Sequence, residues 1–367
     1  MKVERISNLT AMRQGDWEDL LIQSGNKSLF MTWIWLTTWW EVYGADHELW
    51  WLNVKDNDGS LMGSAPLYLR RHRNGLILPH RELRFIGTGA PVSPEHLDIL
   101  AAPGKSAIVL PAINDFLSEQ AEDWDVLLLT DLTDKEGSGT ALELRPVEDQ
   151  FPMAPYIPLP ASWEEYFKSL GKWLRRTITR QRNKQTREME MSFQVWSPKQ
   201  ESFESAFTKF EKLYALRKES MKVENKFEVS AGYRKFHRLL AFRFSAKGWL
   251  NLAFLKIGTR EVACEYTFKY RDALYSYQSG FDPEFGKNNV FKVLRSYVIE
   301  NAIQQGVKEF DLLRGEEAYK YDWKAIARKK QSVRRFSPNA HGRVLYQAAR
   351  LKRLGSRVRE MVTGAAK

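Results

Sequence analysis

The densest run of reactive side chains in the sequence is Phe310-Asp311-Leu312-Leu313-Arg314-Gly315-Glu316-Glu317-Ala318-Tyr319-Lys320-Tyr321-Asp322-Trp323. A carboxylate at the end of an apolar stretch, then Arg, Gly, Glu, Tyr and Lys, puts acid, base and anion-binding groups on one loop. Asp311 or Glu317 suits a proton acceptor, Tyr319 a proton donor, and Arg314 and Lys320 the anionic parts of a substrate, with Trp323 closing the string. A salt-bridged surface turn has the same composition. A hydrogen bond from Arg314 to a buried Asp311 would make that carboxylate structural.

Upstream, Asp282-Pro283-Glu284-Phe285-Gly286-Lys287-Asn288-Asn289 precedes a stretch of helical periodicity. Orphan amides and the macrodipole make the start of a helix an anion site. Gly286, Lys287, Asn288 and Asn289 are therefore the candidate contacts for a phosphorylated cosubstrate, with Asn288 or Asn289 as the cap. One glycine and one lysine form a thin phosphate-loop signature, and a plain strand-to-helix turn fits equally.

Two further features carry charge where chemistry could use it. Between Lys168 and Arg187 stand Lys168, Lys172, Arg175, Arg176, Arg180, Arg182, Lys184 and Arg187 with no carboxylate among them. Like charges at that density repel, and a bound anion would relieve them. Arg175 and Arg176 are candidate substrate contacts, Trp173, Leu174 and Ile178 would hold the inner face, and a solvated basic face is the competing reading. Glu265 stands mid-strand in an alternation that sets Ala263, Glu265, Thr267 and Lys269 opposite Val262, Cys264, Tyr266 and Phe268. Cys264 reads as core, because no histidine pairs with it in sequence.

The elements that must position these groups follow from periodicity. Three strands, Trp249–Ile257, Glu261–Tyr270 and Ala273–Phe281, are joined by Gly258-Thr259-Arg260 and Arg271-Asp272. A helix from Asn289 to Gln304 follows, ended by Gly306, then a strand at Val307–Leu312. Helices are expected at Trp163–Leu170, Lys172–Arg187, Phe203–Lys218 and Ala231–Phe244, and strands at Ser192–Trp196 and Gln331–Phe336. In the first half, helices at Asp16–Gln23, Thr32–Tyr43 and Ser106–Gln120 alternate with strands at Leu49–Val54, Met62–Arg70, Leu83–Ile86 and Val126–Leu129. Trp33, Leu36, Trp40 and Tyr43 mark the apolar stripe of the second helix. Interleaved strands and helices give an α/β (α+β) class with mixed sheets flanked by helices. Pro152, Pro155, Pro158 and Pro160 exclude helix or central strand and read as a linker. The expected organisation is a domain over 1–150, a linker over 151–160, a domain over 161–340 and a basic helix over 341–367. Its Arg343, Arg350, Lys352, Arg353, Arg357 and Arg359 could touch acidic lipid, or form the wet face of a helix packed on the domain.

Composition bounds the rest. A chain of 367 residues exceeds one ordinary core, and 43% hydrophobic with 28% charged residues is a globular balance. No run reaches the length of a membrane span, and the opening MKVERISNLT has no apolar core. One cysteine excludes an internal disulfide, and six scattered histidines give metal chemistry no support, so a cytoplasmic protein without a metal is expected. A net charge of +11 favours anionic partners without choosing among them.

The stretch from Trp249 to Trp323 resembles the GNAT-type acetyltransferase domain of CelD-like proteins, a group linked to cellulose and exopolysaccharide biosynthesis. The matching residues are Glu261-Val262-Ala263, Leu274-Tyr275-Ser276-Tyr277 and Gly280-Phe281-Asp282, then Asp311, Arg314, Gly315, Glu317, Tyr319, Lys320 and Trp323. Trp35, Trp39, Trp40, Gly44, Ala65-Pro66-Leu67 and Phe85-Ile86-Gly87 extend the likeness through the first half. Where many relatives open the helix with a Ser-Pro-Gly-like turn, this chain has Lys287-Asn288-Asn289. The resemblance implies two GNAT-like halves in tandem, as in Fem-type aminoacyltransferases. It implies acetyl-CoA or another acyl-CoA as cosubstrate, no tightly bound cofactor, and a strand carboxylate, here Glu265, as a further candidate base. The implied acceptor is an amine or hydroxyl of a sugar or of a cell-envelope or exopolysaccharide precursor. A Fem-like donor, aminoacyl-tRNA, and a non-catalytic role in polysaccharide assembly are the alternatives; DNA is not an expected partner.

Overall fold

In the computed structural model, residues 1–73, 78–133, 145–146, 153–188 and 190–351 are described. The chain divides into two compact units, Met1–Phe151 with Lys330–Lys367, and Pro152–Lys329.

The first unit contains β1 (Lys2–Ile6), α1 (Gln14–Gln23), α2 (Trp33–Tyr43), β2 (Glu48–Lys55), β3 (Leu61–His72), β4 (His80–Phe85), β5 (Leu100–Ala101), α3 (Ser106–Glu119), β6 (Val126–Thr133) and β7 (Arg145–Pro146). Strands β1 to β4 pair antiparallel in chain order, and β4 runs parallel to β6, which makes the sheet mixed. Thr32 caps α2 by accepting from the Trp35 amide, and Gly44 ends it. The helix buries Trp35, Leu36, Thr38 and Trp39 and leaves Trp33, Trp40 and Tyr43 half-buried. This differs from the expected stripe because the helix is apolar nearly all round, so spacing alone does not choose a face.

The second unit holds the candidate chemistry. It runs β8 (Tyr156–Pro158), α4 (Trp163–Ser169), α5 (Lys172–Glu188), β9 (Met191–Val195), α6 (Phe203–Ser220), α7 (Lys226–Val229), α8 (Ala231–Ala246), β10 (Leu250–Ile257), β11 (Arg260–Tyr270), β12 (Ala273–Phe281), α9 (Val290–Gln304), β13 (Glu309–Asp311) and α10 (Ala318–Asp322). The sheet order is β8-β13-β12-β11-β10-β9, with β12–β13 the parallel pair. One face packs on α4, α5 and α9 through Leu174, Ile178, Leu255, Leu294 and Phe310. The other carries an aromatic layer in which Phe207, Phe210, Phe227, Tyr233 and Tyr266 meet edge to face. The proline-rich stretch is more than a linker. Its Tyr156–Pro158 is an edge strand on β13, a place where proline is tolerated.

The chain then returns to the first unit. β14 (Lys330–Phe336) lies antiparallel on β6, so the second unit stops at Lys329 rather than near 340. Helix α11 (340–351) follows, and its Leu345 packs with Val126 and Leu128. Arg343 and Arg350 are exposed; Lys352, Arg353, Arg357 and Arg359 lie outside the described residues. Two mixed sheets flanked by helices are the α/β architecture expected from the sequence. Among the described residues, no helix is long and apolar enough to cross a membrane.

Candidate active site

The site begins where two strands part. β12 and β13 pair only through Ala273↔Glu309, Leu274↔Phe310 and Tyr275↔Asp311. β13 then ends while β12 continues to Phe281, so past Tyr275 that edge of β12 leaves its ladder. On the other edge, Tyr266 pairs with Gln278 and Thr267 with Ser276, which leaves Tyr277 as the bulged residue. A bulge frees backbone groups and turns the strand. Gly280 is required just beyond it, because an added Cβ would come within 2.4 Å of the α6 backbone at Leu213 and Tyr214.

On the α9 face of this parting, Glu265 is buried and paired with Arg295. Arg295 Nη2 and Nε donate to Glu265 Oε1 at 2.7 and 3.2 Å, and Ser276 Oγ donates to the same oxygen at 2.8 Å. Burial opposes the Arg295 charge, but Glu265, and after it Tyr319, outweigh that and raise its hold on the proton. The guanidinium carbon lies 5.7 Å from the centre of the Tyr319 ring. Glu265 Oε2 and Arg295 Nη1, both buried, have no hydrogen-bond partner. Glu265 is thus no solvent-facing strand carboxylate. It is half of an ion pair with spare capacity on both members.

The loop after β13 is held from inside. Asp311 is fully buried; its Oδ1 accepts from the Leu313 amide at 2.8 Å, and Oδ2 faces Arg328 Nη1 at 3.4 Å. Arg328, which the sequence did not single out, is a cation beside it. Lys320 is also buried. Its Nζ donates to the carbonyls of Leu313, Arg314 and Gly315 at 3.0, 2.9 and 3.0 Å, and Glu317 Oε2 stands 3.0 Å away. An ammonium has three protons, and three carbonyls take them. Lys320, expected from the sequence to meet a substrate, is here directed at the loop backbone and fixes it. The loop needs this staple because Leu313 and Gly315 have φ of 55° and 113°. Glu317 lies so close over Gly315 that a Cβ there would be 2.5 Å from its Oε2. Trp323 is likewise structural: it sits in the core, and its carbonyl accepts from the Tyr166 hydroxyl at 2.8 Å. Among the loop's polar side chains, Arg314, Glu316, Glu317 and Tyr319 are exposed.

The turn before α9 is a 3₁₀ segment, Pro283–Asn288, capped by Asp282, which accepts from the Glu284 amide at 3.0 Å. Arg260 pairs with both Asp282 and Glu284. Asn289 adopts φ 51° and ends this turn, but its side chain makes no cap bond to α9 and instead reaches the Lys287 carbonyl at 3.4 Å. The expected asparagine cap is thus absent at 289, and the helix proper starts at Val290. Gly286 has open space around it, so packing does not demand glycine there.

Helix α5 lies against α9. Leu174 and Ile178 face inward, while Trp173, expected beside them, is 60% exposed. Arg182 also turns inward, to Ser296 at 3.0 Å and Glu300 at 2.8 Å, with its guanidinium 3.7 Å from the Tyr297 ring centre. Arg175 and Arg176 instead line an open groove with Phe167, Lys168, Thr179 and Arg180.

Arg295 and His237 were not singled out from the sequence, and Ser276 entered only within the matching run Leu274-Tyr275-Ser276-Tyr277. An arginine set between Leu294 and Ser296 on a buried helix face was the available signal for the first. His237 is enclosed by Tyr233, Phe236, Tyr266 and Tyr277 with neither ring nitrogen partnered. Burial, aided by the charge of Lys226, lowers its pKa to about 3. Cys264 is core, as expected, and burial pushes its thiol well up.

Residues 172–321 match the acetyltransferase (GNAT) domain family. No curated protein sequence matches the chain. The fold is similar to that of FemX, with a TM-score of 0.64 at 12% identity over 95% of this chain and 99% of that one. A C-terminal domain from Agrobacterium fabrum, named for a lysylphosphatidylglycerol synthetase, gives 0.52 at 8% identity over 92% and 95%. L-PGS from Bacillus licheniformis gives 0.50 at 13% over 92% and 96%. At such identities the likeness is one of fold. Together with the family match, it makes the second unit a GNAT-fold acyltransferase domain.

Proposed function

We propose that the second unit transfers an acyl group, acetyl in the first instance, from acyl-CoA to an amine or hydroxyl acceptor. The observation that carries this reading is the buried Glu265–Arg295–Ser276 cluster beside the stretch of β12 that has left its ladder, with Tyr319 against Arg295. The first turn of α9, with Lys287 and Lys292, receives the donor's pyrophosphate. Amides of β12 past Tyr275 stabilise the oxyanion as the acceptor attacks the thioester. Tyr319 protonates the departing thiolate. Glu317, whose side chain is 55% exposed, takes the acceptor's proton. Asp311 is too fully engaged for that role, and Glu265 acts by positioning Arg295 and Tyr319. Arg314 holds an anionic part of the acceptor.

Within this reading the acceptor is a sugar or a cell-envelope or exopolysaccharide precursor, the chain is of CelD-like type, and it works in the cytoplasm where acyl-CoA is made. A second reading, an aminoacyl-tRNA donor, is favoured by the exposed cations Lys172, Arg176, Arg180, Lys184 and Arg187 on α5 and by the FemX-like fold. Calorimetric titration with acetyl-CoA, CoA and an unrelated nucleotide at two salt concentrations tests the choice. Saturable binding that prefers the CoA compounds and survives salt supports acyl-CoA. Equal, salt-sensitive binding of every anion refutes it and favours the tRNA donor.

A further inference from the structure

We propose that Trp173 and the groove beside it hold the nucleotide end of the acyl donor, an adenosine bearing 3′- and 5′-phosphates. The inference rests on the acyl-CoA reading and deepens it. Trp173 has no packing role: the inner face of α5 is already filled by Leu174 and Ile178, and the indole is 60% exposed. It is nonetheless held in place. Lys292, in the first turn of α9, sets its Nζ 4.2 Å from the centre of the indole. The indole therefore stands beside the turn that would receive a pyrophosphate. Lys292 itself has its proton affinity lowered by burial, against the partial support of Asp322, and a phosphate nearby would relieve it.

The groove supplies the rest. It has a volume of about 710 Å³ and is lined by Phe167, Lys168, Arg175, Arg176, Thr179 and Arg180. That volume falls within the range of small-molecule sites. Four of its six lining residues are cations and none is acidic. Arg175 Nη1 donates to the Lys168 carbonyl at 3.0 Å, which steadies one wall. An open groove with this charge selects phosphate, and the exposed indole of Trp173, two residues before Arg175 on the same helix, offers a base a surface to stack on. Trp173 is the strongly exposed aromatic here, and Phe167 in the groove wall is only partly exposed, so one base has one open face to stack on. A nucleic-acid strand is usually followed by successive platforms along a groove.

The test compares acetyl-CoA, its dephospho form, S-acetylpantetheine and a short single-stranded RNA by calorimetry on the full chain. Expected for the wild type is an affinity order of acetyl-CoA, then the dephospho form, then S-acetylpantetheine. Trp173→Ala should weaken acetyl-CoA about tenfold, the scale of one base stack, and leave S-acetylpantetheine unchanged, while Trp173→Phe keeps most of the affinity. Arg175→Gln with Arg176→Gln should abolish the preference for the 3′-phosphate. Unchanged acetyl-CoA affinity in Trp173→Ala overturns the proposal and leaves the acyl-CoA reading standing. No acetyl-CoA binding by the wild type overturns both. RNA binding tighter than acetyl-CoA and lost in Trp173→Ala reassigns the platform to nucleic acid and overturns the proposal.

Discussion

Replacing Lys320 by methionine separates a structural ammonium from a substrate-binding one. In the structure, the three Nζ protons go to the carbonyls of Leu313, Arg314 and Gly315. Methionine keeps the length of the stem and removes all three donors. The Leu313 contact is buried, so its carbonyl is left unsatisfied at about 1–3 kcal/mol. The other two are partly buried and can rehydrate, each losing about 1 kcal/mol of net bonding. Glu317 loses its cation but is 55% exposed, and that term is near zero. The ammonium's own desolvation, no longer needed, returns part of the total. The balance is a loss of about 2–4 kcal/mol. For a unit of this size that lowers the melting temperature by roughly 5–15 °C. Thermal and urea unfolding followed by circular dichroism would measure it, with hydrogen exchange over 311–323 reporting the local loosening. Lys320→Arg should also destabilise, because a planar fork cannot converge on three carbonyls. Stability within about 0.5 kcal/mol of wild type, with only acyl transfer impaired, would refute the staple and return Lys320 to the substrate.

Two further predictions address the buried charges. Arg295→Met strands the Glu265 carboxylate and should cost about 3–5 kcal/mol, whereas Arg295→Met with Glu265→Leu should recover most of that stability without restoring transfer; recovery of both in the double variant would show the pair to be packing alone. His237, with its pKa near 3 in the fold and about 6.5 unfolded, binds a proton first in the unfolded chain. Its contribution is intact above pH ~6.5 and is lost as pH falls from there toward 3, at up to ~1.4 kcal/mol per pH unit. His237→Phe should flatten that slope in unfolding free energy measured between pH 7 and 4, and an unchanged slope would mean that His237 charges in place.

Local pattern carried much of the second unit. The three strands from Leu250 to Phe281 alternate, are joined by short turns and lead into a helix ended by Gly306; each of these signals acts over a few residues. What stayed hidden depends on partners far along the chain. The pairing of Tyr156–Pro158 with β13 joins residues about 150 apart, and β14 finds β6 across the whole second unit. A proline-rich stretch and a short basic strand carry no local mark of such pairings. The site shows the same limit. Composition located the loop 311–323 but could not say which polar groups turn inward. A lysine and an aspartate there look alike in sequence whether they face water or their own backbone. In the structure Asp311 and Lys320 face the backbone, while Arg314, Glu316, Glu317 and Tyr319 stay exposed.

This inward turn gives the string its shape. Lys320 and Asp311 fix a backbone bent through two left-handed residues, and the fixed backbone sets where Tyr319 emerges. Tyr319 meets Arg295, Arg295 holds Glu265, and Glu265 accepts from Ser276, the first residue of β12 past its pairing with β13. A continuous chain of contacts therefore ties the loop on one side of the parting strands to the strand on the other. Because the two sides part exactly where β13 stops, nothing in the sheet ladder itself would hold that distance; the side-chain chain does. On this account the charged groups of the string act on the reaction through geometry, and the reacting groups are the few that the string leaves facing outward.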